Sequence, residues 1–183
     1  MKKELSALDV PVWHETEKCE SLIPHGMWVK DLLKRFSEIR ETFSKLRNDD
    51  NECGKGLPQY DDEDAWFMFC FEGEGHPPLL STVLKMDTMT QERVLSYHID
   101  WLNKETTLSA HRAVWIYALL VGIDKPLSPN VASDIRRLLV MCCSMRSRLE
   151  GEEEEENLAC LNIMISLAGT YYEQEEPDRR LIF

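Results

Sequence analysis

The chain has 183 residues with 21 lysines and arginines against 33 aspartates and glutamates, a formal net charge of -12. That balance argues against a direct nucleic-acid ligand, which needs a basic face for phosphate, and favours a basic protein partner. Hydrophobic residues make up 43% and charged ones 30%, an ordinary globular mixture, and a chain of this length buries about two thirds of its unfolded surface, so one domain with a real core is expected.

The first twenty residues, MKKELSALDVPVWHETEKCE, carry two lysines, but Glu4, Ser6 and Asp9 interrupt any apolar stretch of a signal peptide. From Trp28 to Arg47, apolar residues fall at Trp28, Leu32, Phe36, Ile39, Phe43 and Leu46. Their spacing by threes and fours predicts an amphipathic helix with an aromatic stripe. NDDNECGKGLPQY follows and reads as a loop. Asp61 is the expected cap of a short helix with Asp62, Glu63 and Asp64 in its first turn; its apolar face is Ala65, Trp66, Phe69 and Cys70, and Gly73 and Gly75 end it. Pro77 and Pro78 are expected in the first turn of the next helix, which holds Leu79, Leu80, Val83 and Leu84. Thr88 with Gln91 reads as a capping box opening a helix through Val94, Leu95, Ile99, Trp101 and Leu102.

Thr107 or Ser109 then starts the helix WIYALLVGI. Its apolar run, Val114 to Ile123, is about half the roughly 20 residues a membrane span needs, and Asp124 and Lys125 close it. No membrane partner is expected. Ser128 and Pro129 form a cap and first-turn pair for a helix whose stripe is Val131, Ile135, Leu138, Cys142, Met145 and Leu149; Arg136, Arg137, Arg146 and Arg148 make its other face basic. Gly151 and five glutamates, Glu152 to Glu156, set off the last helix, for which Asn157 is the expected cap. Leu158, Leu161, Ile165, Ala168 and Tyr172 form one apolar stripe there, and Met164, Leu167 and Tyr171 a second, so the helix should be covered on two sides. No strand hairpin and no repeat period is visible. The expected fold is all-α, a single-domain bundle of about seven helices, with a short flexible arm over 1–27, a helical domain over 28–174 that includes an acidic loop at 150–156, and a tail at 175–183.

Chemistry-bearing constellations are missing from the sequence. There is no HExxH, GxGxxG or GxSxG, and no paired cysteines facing paired histidines. Cys70 and His76 straddle a turn, but two ligands make no metal site. His98 and Asp100 stand two apart on one helix and point to different faces. Six cysteines, at 19, 53, 70, 142, 143 and 160, include no CxxC pair in a chain too core-rich for a disulfide scaffold, which suits a reducing compartment, cytoplasm or nucleus. No enzyme, metal or cofactor is expected. An interaction surface remains.

Five ordered blocks, DDEDAWFMFC, HPPLLSTVLKM, VLSYHIDWL, WIYALLVGIDKPLSPNVASDIRRL and LACLNIMISLAGTYYEQ, together with Trp28 and the FSEIR that begins at Phe36, resemble the gem-associated protein two family. The resemblance runs from Trp28 to Gln174. It implies an all-helical, non-enzymatic assembly factor that binds a short amphipathic helix of the survival motor neuron protein and holds Sm proteins for closure of their ring on spliceosomal small nuclear RNA. It further implies an apolar groove for that helix, with Leu32, Phe36, Ile39 and Phe43 on one wall, Trp115 and Leu119 on the other, and Arg112 as a rim charge. Two departures stand out. The family has an arginine immediately before the tryptophan matching Trp115, where this chain has Val114. The family also carries a long N-terminal arm that grips further Sm subunits, whereas 27 residues precede Trp28 here. A general acidic adaptor for some other amphipathic helix is the alternative reading of the same residues.

Overall fold

The computed structural model describes residues 22–47, 54–72, 76–149 and 155–174. Seven α-helices run through them: α1 (Gly26–Arg47), α2 (Glu63–Phe71), α3 (Leu80–Leu84), α4 (Thr88–Leu102), α5 (Ala110–Gly122), α6 (Pro129–Arg146) and α7 (Glu155–Ile165), which continues as a π-helical turn, Ser166–Tyr171. No strand occurs among the described residues, and the fold is all-α. The first helix starts two residues ahead of Trp28. Glu155 and Glu156 are the first turn of α7 rather than loop, where the positive end of the helix dipole favours carboxylates. Residues 1–21 and 175–183, Gly73 and Gly75, and the rest of the acidic run, 150–154, lie outside the described residues.

Several helix starts differ from the sequence reading, each for a local reason. Asp62, not Asp61, caps α2 by accepting from the Ala65 N–H at 3.0 Å. Asp87 caps α4, accepting from the Thr90 N–H at 2.7 Å, so Thr88 is already helical. These hydrogen bonds to Thr90 are the main cause that holds the Asp87 carboxyl below its ordinary value. Gln91 is freed from any capping role and sits fully buried; its Nε2 donates to the Val83 carbonyl at 3.0 Å. Pro77 and Pro78 precede α3 instead of opening it, and Leu79 at its boundary is extended (φ -60, ψ 148). Asn157 lies inside α7, and its Oδ1 accepts from the Leu108 N–H at 3.2 Å. Ser109 and Ser128 cap α5 and α6 as the sequence indicates, with Pro129 in the first turn of α6.

One continuous core joins the helices. At its centre is α5, which packs on α1, α3, α4 and α7; Trp115, Ile116, Leu119 and Leu120 are wholly inaccessible. Burying each such side chain contributes on the order of 1.5–3 kcal/mol. The apolar stripe of α6, from Val131 to Met145, is buried as well. Its basic face is tied down: Arg137 reaches Asp100 and Asp134, each at 2.8 Å, Arg146 donates to Asn162 Oδ1 at 2.8 Å, and Arg136 donates to the Gln174 carbonyl at 3.2 Å. In the π turn an extra residue per turn rotates the chain, so Leu167, Ala168 and Tyr172 are all buried.

Candidate partner-helix groove

Among the seven residues indicated for a groove, the structure separates interior from surface. Phe36 is 0% exposed. It is enclosed edge-on by Tyr117 at 5.3 Å, Tyr171 at 4.8 Å and Tyr172 at 6.4 Å. Phe43, Trp115 and Leu119 are likewise buried, and the Trp115 indole N–H donates to the His76 carbonyl at 2.9 Å. These four side chains are covered by the chain itself, which corrects their assignment as open anchors. Leu32 is half-buried, and Ile39 is 43% exposed.

Arg112 needs the plainest correction. It is no rim charge: the residue is 7% exposed, its guanidinium lies 4.5 Å over the Phe71 ring, and Nη2 stands 3.5 Å from the Glu105 carboxylate. Burial lowers its pKa, opposed by Glu105. The physical reason is helical arithmetic. Residues 112, 115 and 119 are spaced three and four apart, so Arg112 shares the inner stripe with Trp115 and Leu119.

Two residues that the sequence reading passed over fix α1 against α5. Arg40 Nη1 donates to the Leu120 carbonyl at 2.9 Å, the Val121 carbonyl at 3.0 Å and the Tyr172 hydroxyl at 2.8 Å. Arg47 reaches the Gly122 carbonyl at 3.3 Å and Gln91 Oε1 at 3.2 Å. The last carbonyls of a helix have no partner within it and carry its negative end, so two guanidinium groups there are favourable. The signal was present in the sequence: Arg40 and Arg47 each follow a buried phenylalanine by four positions, on the inward side of α1.

The surface beside this contact is apolar. On a helix turning about 100° per residue, Trp28, Leu32, Ile39 and Leu46 fall within about 40° of one another. Trp28 is 40%, Ile39 43% and Leu46 39% exposed. On α5, Tyr117 and Val121 face α1, whose Phe36 and Arg40 they meet. His111 and Trp115 face the opposite way, toward Cys70 of α2 and His76 before α3. Val114, 53% exposed, and half-buried Ala118 lie between those two sides. Ser37, Glu41 and Ser44 mark the other flank of α1, where it borders Tyr171. The strip of Leu32, Ile39 and Leu46 therefore lies on the flank away from the π turn, beside the Val114 and Ala118 floor. Apolar surface on two neighbouring helices, with anchors recurring at four and seven residues, suits one amphipathic helix. No cluster of three or more histidine, cysteine or acidic side chains able to hold a metal occurs among the described residues, and no described helix is long and apolar enough to cross a membrane.

Comparison with known proteins gives a consistent result. Residues 2–175 match the family model described as survival motor neuron (SMN) interacting protein 1. The gem-associated protein 2 of Xenopus laevis is 30% identical over 181 residues, covering 84% of this chain and 69% of that protein. Its Mus musculus counterpart is 30% identical over 183 residues, with 86% and 67% covered, and that of Drosophila melanogaster is 29% identical over 181 residues, with 94% and 71% covered. Among solved structures, a chain of the 8S snRNP assembly intermediate aligns with a TM-score of 0.74 at 26% identity, over 95% of this chain and 84% of that one.

Proposed function

Because the chain belongs to the survival motor neuron interacting protein 1 family, we propose that it is a non-enzymatic assembly factor for small nuclear ribonucleoproteins. In this reading it binds an amphipathic helix of the survival motor neuron protein and holds Sm proteins while their ring is assembled, in the cytoplasm and nucleus. The observation that carries the helix-binding part is the strip of exposed Trp28, Ile39 and Leu46 with half-buried Leu32, on the side of α1 toward Val114. A helix laid there would cover apolar surface that a monomeric protein otherwise leaves in water. Val114 takes the position where the family resemblance leads one to expect arginine. The contact on α5 is then apolar, and no salt bridge to the partner helix starts from that position.

The net charge of -12 supports the Sm-holding part, since complementary fields speed encounter with basic partners and disfavour wrong ones. The test is gel filtration of the full chain with a survival motor neuron helix peptide and purified Sm heterodimers at two salt concentrations. Co-elution of all components, weaker for the Sm proteins at high salt, is expected. Co-elution of the peptide without any Sm protein at either concentration would reduce the chain to a general helix adaptor, and loss of both would overturn the proposal.

A further inference from the structure

His98 is wholly buried in the C-terminal half of α4, and neither ring nitrogen has a hydrogen-bond partner among the described residues. Its ring stacks on Trp115 of α5 (centroids 5.5 Å apart, 23° between planes) and meets Trp101 of α4 at 5.0 Å and Phe71 of α2 at 5.4 Å. Three aromatic rings from three helices thus close around an imidazole that can pack there only as an uncharged ring. We infer that His98 is a neutral latch holding α2 onto the α4–α5 pair, and that mild acid makes α2 open more often.

The groups facing His98 offer no compensation for a charge. On α5, the Arg112 guanidinium lies over Phe71 with Nη1 buried and unpartnered among the described residues, and His111 meets the Cys70 carbonyl through Nε2 at 2.8 Å. On α2, burial pushes the Cys70 thiol up to about 12, so it stays neutral, and the Glu63 carboxylate is engaged by the Trp101 indole N–H at 2.8 Å. Glu105 reaches Arg112 from its solvent side. From α6, Asp134 and Arg137 are paired with each other, and Arg137 with Asp100. Burial first, then Arg112 and His111, hold the imidazole well below its ordinary 6.5.

The direction of the pH effect follows. With α2 lifted, the ring meets water and takes a proton more readily, with Arg112 and His111 of α5 still beside it; with α2 seated, it does not. The seated state is therefore fully favoured above about pH 6.5 and loses ground below it, so the opening constant rises by up to about tenfold from pH 7.5 to 5.5. It is α2 that should yield. It is nine residues long, with Phe67 41% and Met68 53% exposed on its outer side, whereas Trp101 and Trp115 belong to helices buried in the core.

The test is hydrogen exchange on the full chain at pH 7.5 and 5.5, corrected for intrinsic rates. The α2 amides should open several-fold more often at the lower pH, up to about tenfold, and the α6 amides should not; His98→Phe should abolish the difference and His111→Gln should keep it. Unchanged α2 exchange, equal acceleration in α6, or a full pH effect in His98→Phe would overturn the inference. Should His98→Phe fail to fold, the wild-type ring nitrogen shifts decide. A neutral-imidazole signal at pH 5.5 together with faster α2 exchange is expected; a midpoint near 6.5, or a neutral ring with unchanged α2 exchange, would overturn the inference.

Discussion

Phe36 and Ile39 are three residues apart on α1, and truncating each should produce opposite signatures. Phe36 is wholly inside, packed edge-on against Tyr117, Tyr171 and Tyr172. Its replacement by alanine removes a ring and leaves a cavity, a change that costs about 3–5 kcal/mol of stability, or about two to three and a half orders of magnitude in the folding constant. Ile39 keeps 43% of its surface in water. With full burial of such a side chain contributing about 1.5–3 kcal/mol, covering the remainder on helix binding contributes about 0.6–1.3 kcal/mol. Ile39→Ala should therefore weaken the survival motor neuron helix about three- to tenfold while changing stability by less than about 1 kcal/mol. Urea denaturation of both variants, with calorimetry under conditions where each is folded, separates the two effects. The reasoning is refuted if Phe36→Ala retains wild-type stability and loses binding, because Phe36 would then be an open anchor and not a core residue.

Three further outcomes follow from local geometry. A β-carbon on Gly122 would stand 2.7 Å from the Gln91 amide carbon and nitrogen, and Gln91 is held by Val83 and Arg47, so Gly122→Ala should cost about 1–3 kcal/mol; an unchanged melting temperature would show that Gln91 can move aside. Asp87→Ala should cost about 0.5–2 kcal/mol through loss of the α4 cap. Because the Asp87 carboxyl is held below its ordinary 3.8, the deficit should be constant above about pH 5 and shrink as the pH falls through the folded value, and a deficit that grows toward acid in melts across pH would contradict this. Arg137→Ala, which removes a half-exposed guanidinium from its ion pairs with exposed Asp100 and more buried Asp134, should change the urea midpoint by the equivalent of about 1 kcal/mol or less, and a larger loss would give that network a role its exposure does not suggest.

The elements themselves were legible in the sequence because helical periodicity is a long-range pattern that single residues cannot disguise. The α6 stripe and the Ser128–Pro129 start are examples. Starts governed by one hydrogen bond were less legible. Asp61 and Asp62 are equally good caps by composition, and only the path of the loop decides between them; Thr88 and Gln91 match a capping box, but Asp87 lies one residue earlier and Gln91 is drawn inward by Val83, Arg47 and Gly122. The turn from α- to π-helix at Ser166 leaves no clear mark in composition.

The candidate site was legible in outline only. An apolar stripe indicates that α1 and α5 meet, yet it does not say which part of the stripe the chain covers for itself. Tyr171 and Tyr172 come from the far end of the sequence to enclose Phe36, so the anchors that looked strongest are interior. The remainder, exposed Ile39 and Val114 with half-buried Leu32, lies at the edge of each stripe. Arg112 misled for a related reason: charge suggests a rim, while its spacing from Trp115 and Leu119 puts it inside, over Phe71.

The account rests most directly on the claim that the partner helix lies over Val114. Calorimetric titration of the full chain, wild type and Val114→Asp, with the survival motor neuron helix peptide tests it, since residue 114 is 53% exposed and a carboxylate there can stay solvated in the free protein. Binding by the wild type, at least about tenfold weaker in a Val114→Asp variant that melts at the wild-type temperature, is the predicted result. Equal affinity in the two proteins would place the helix elsewhere, and no binding by the folded wild type would contradict the function itself.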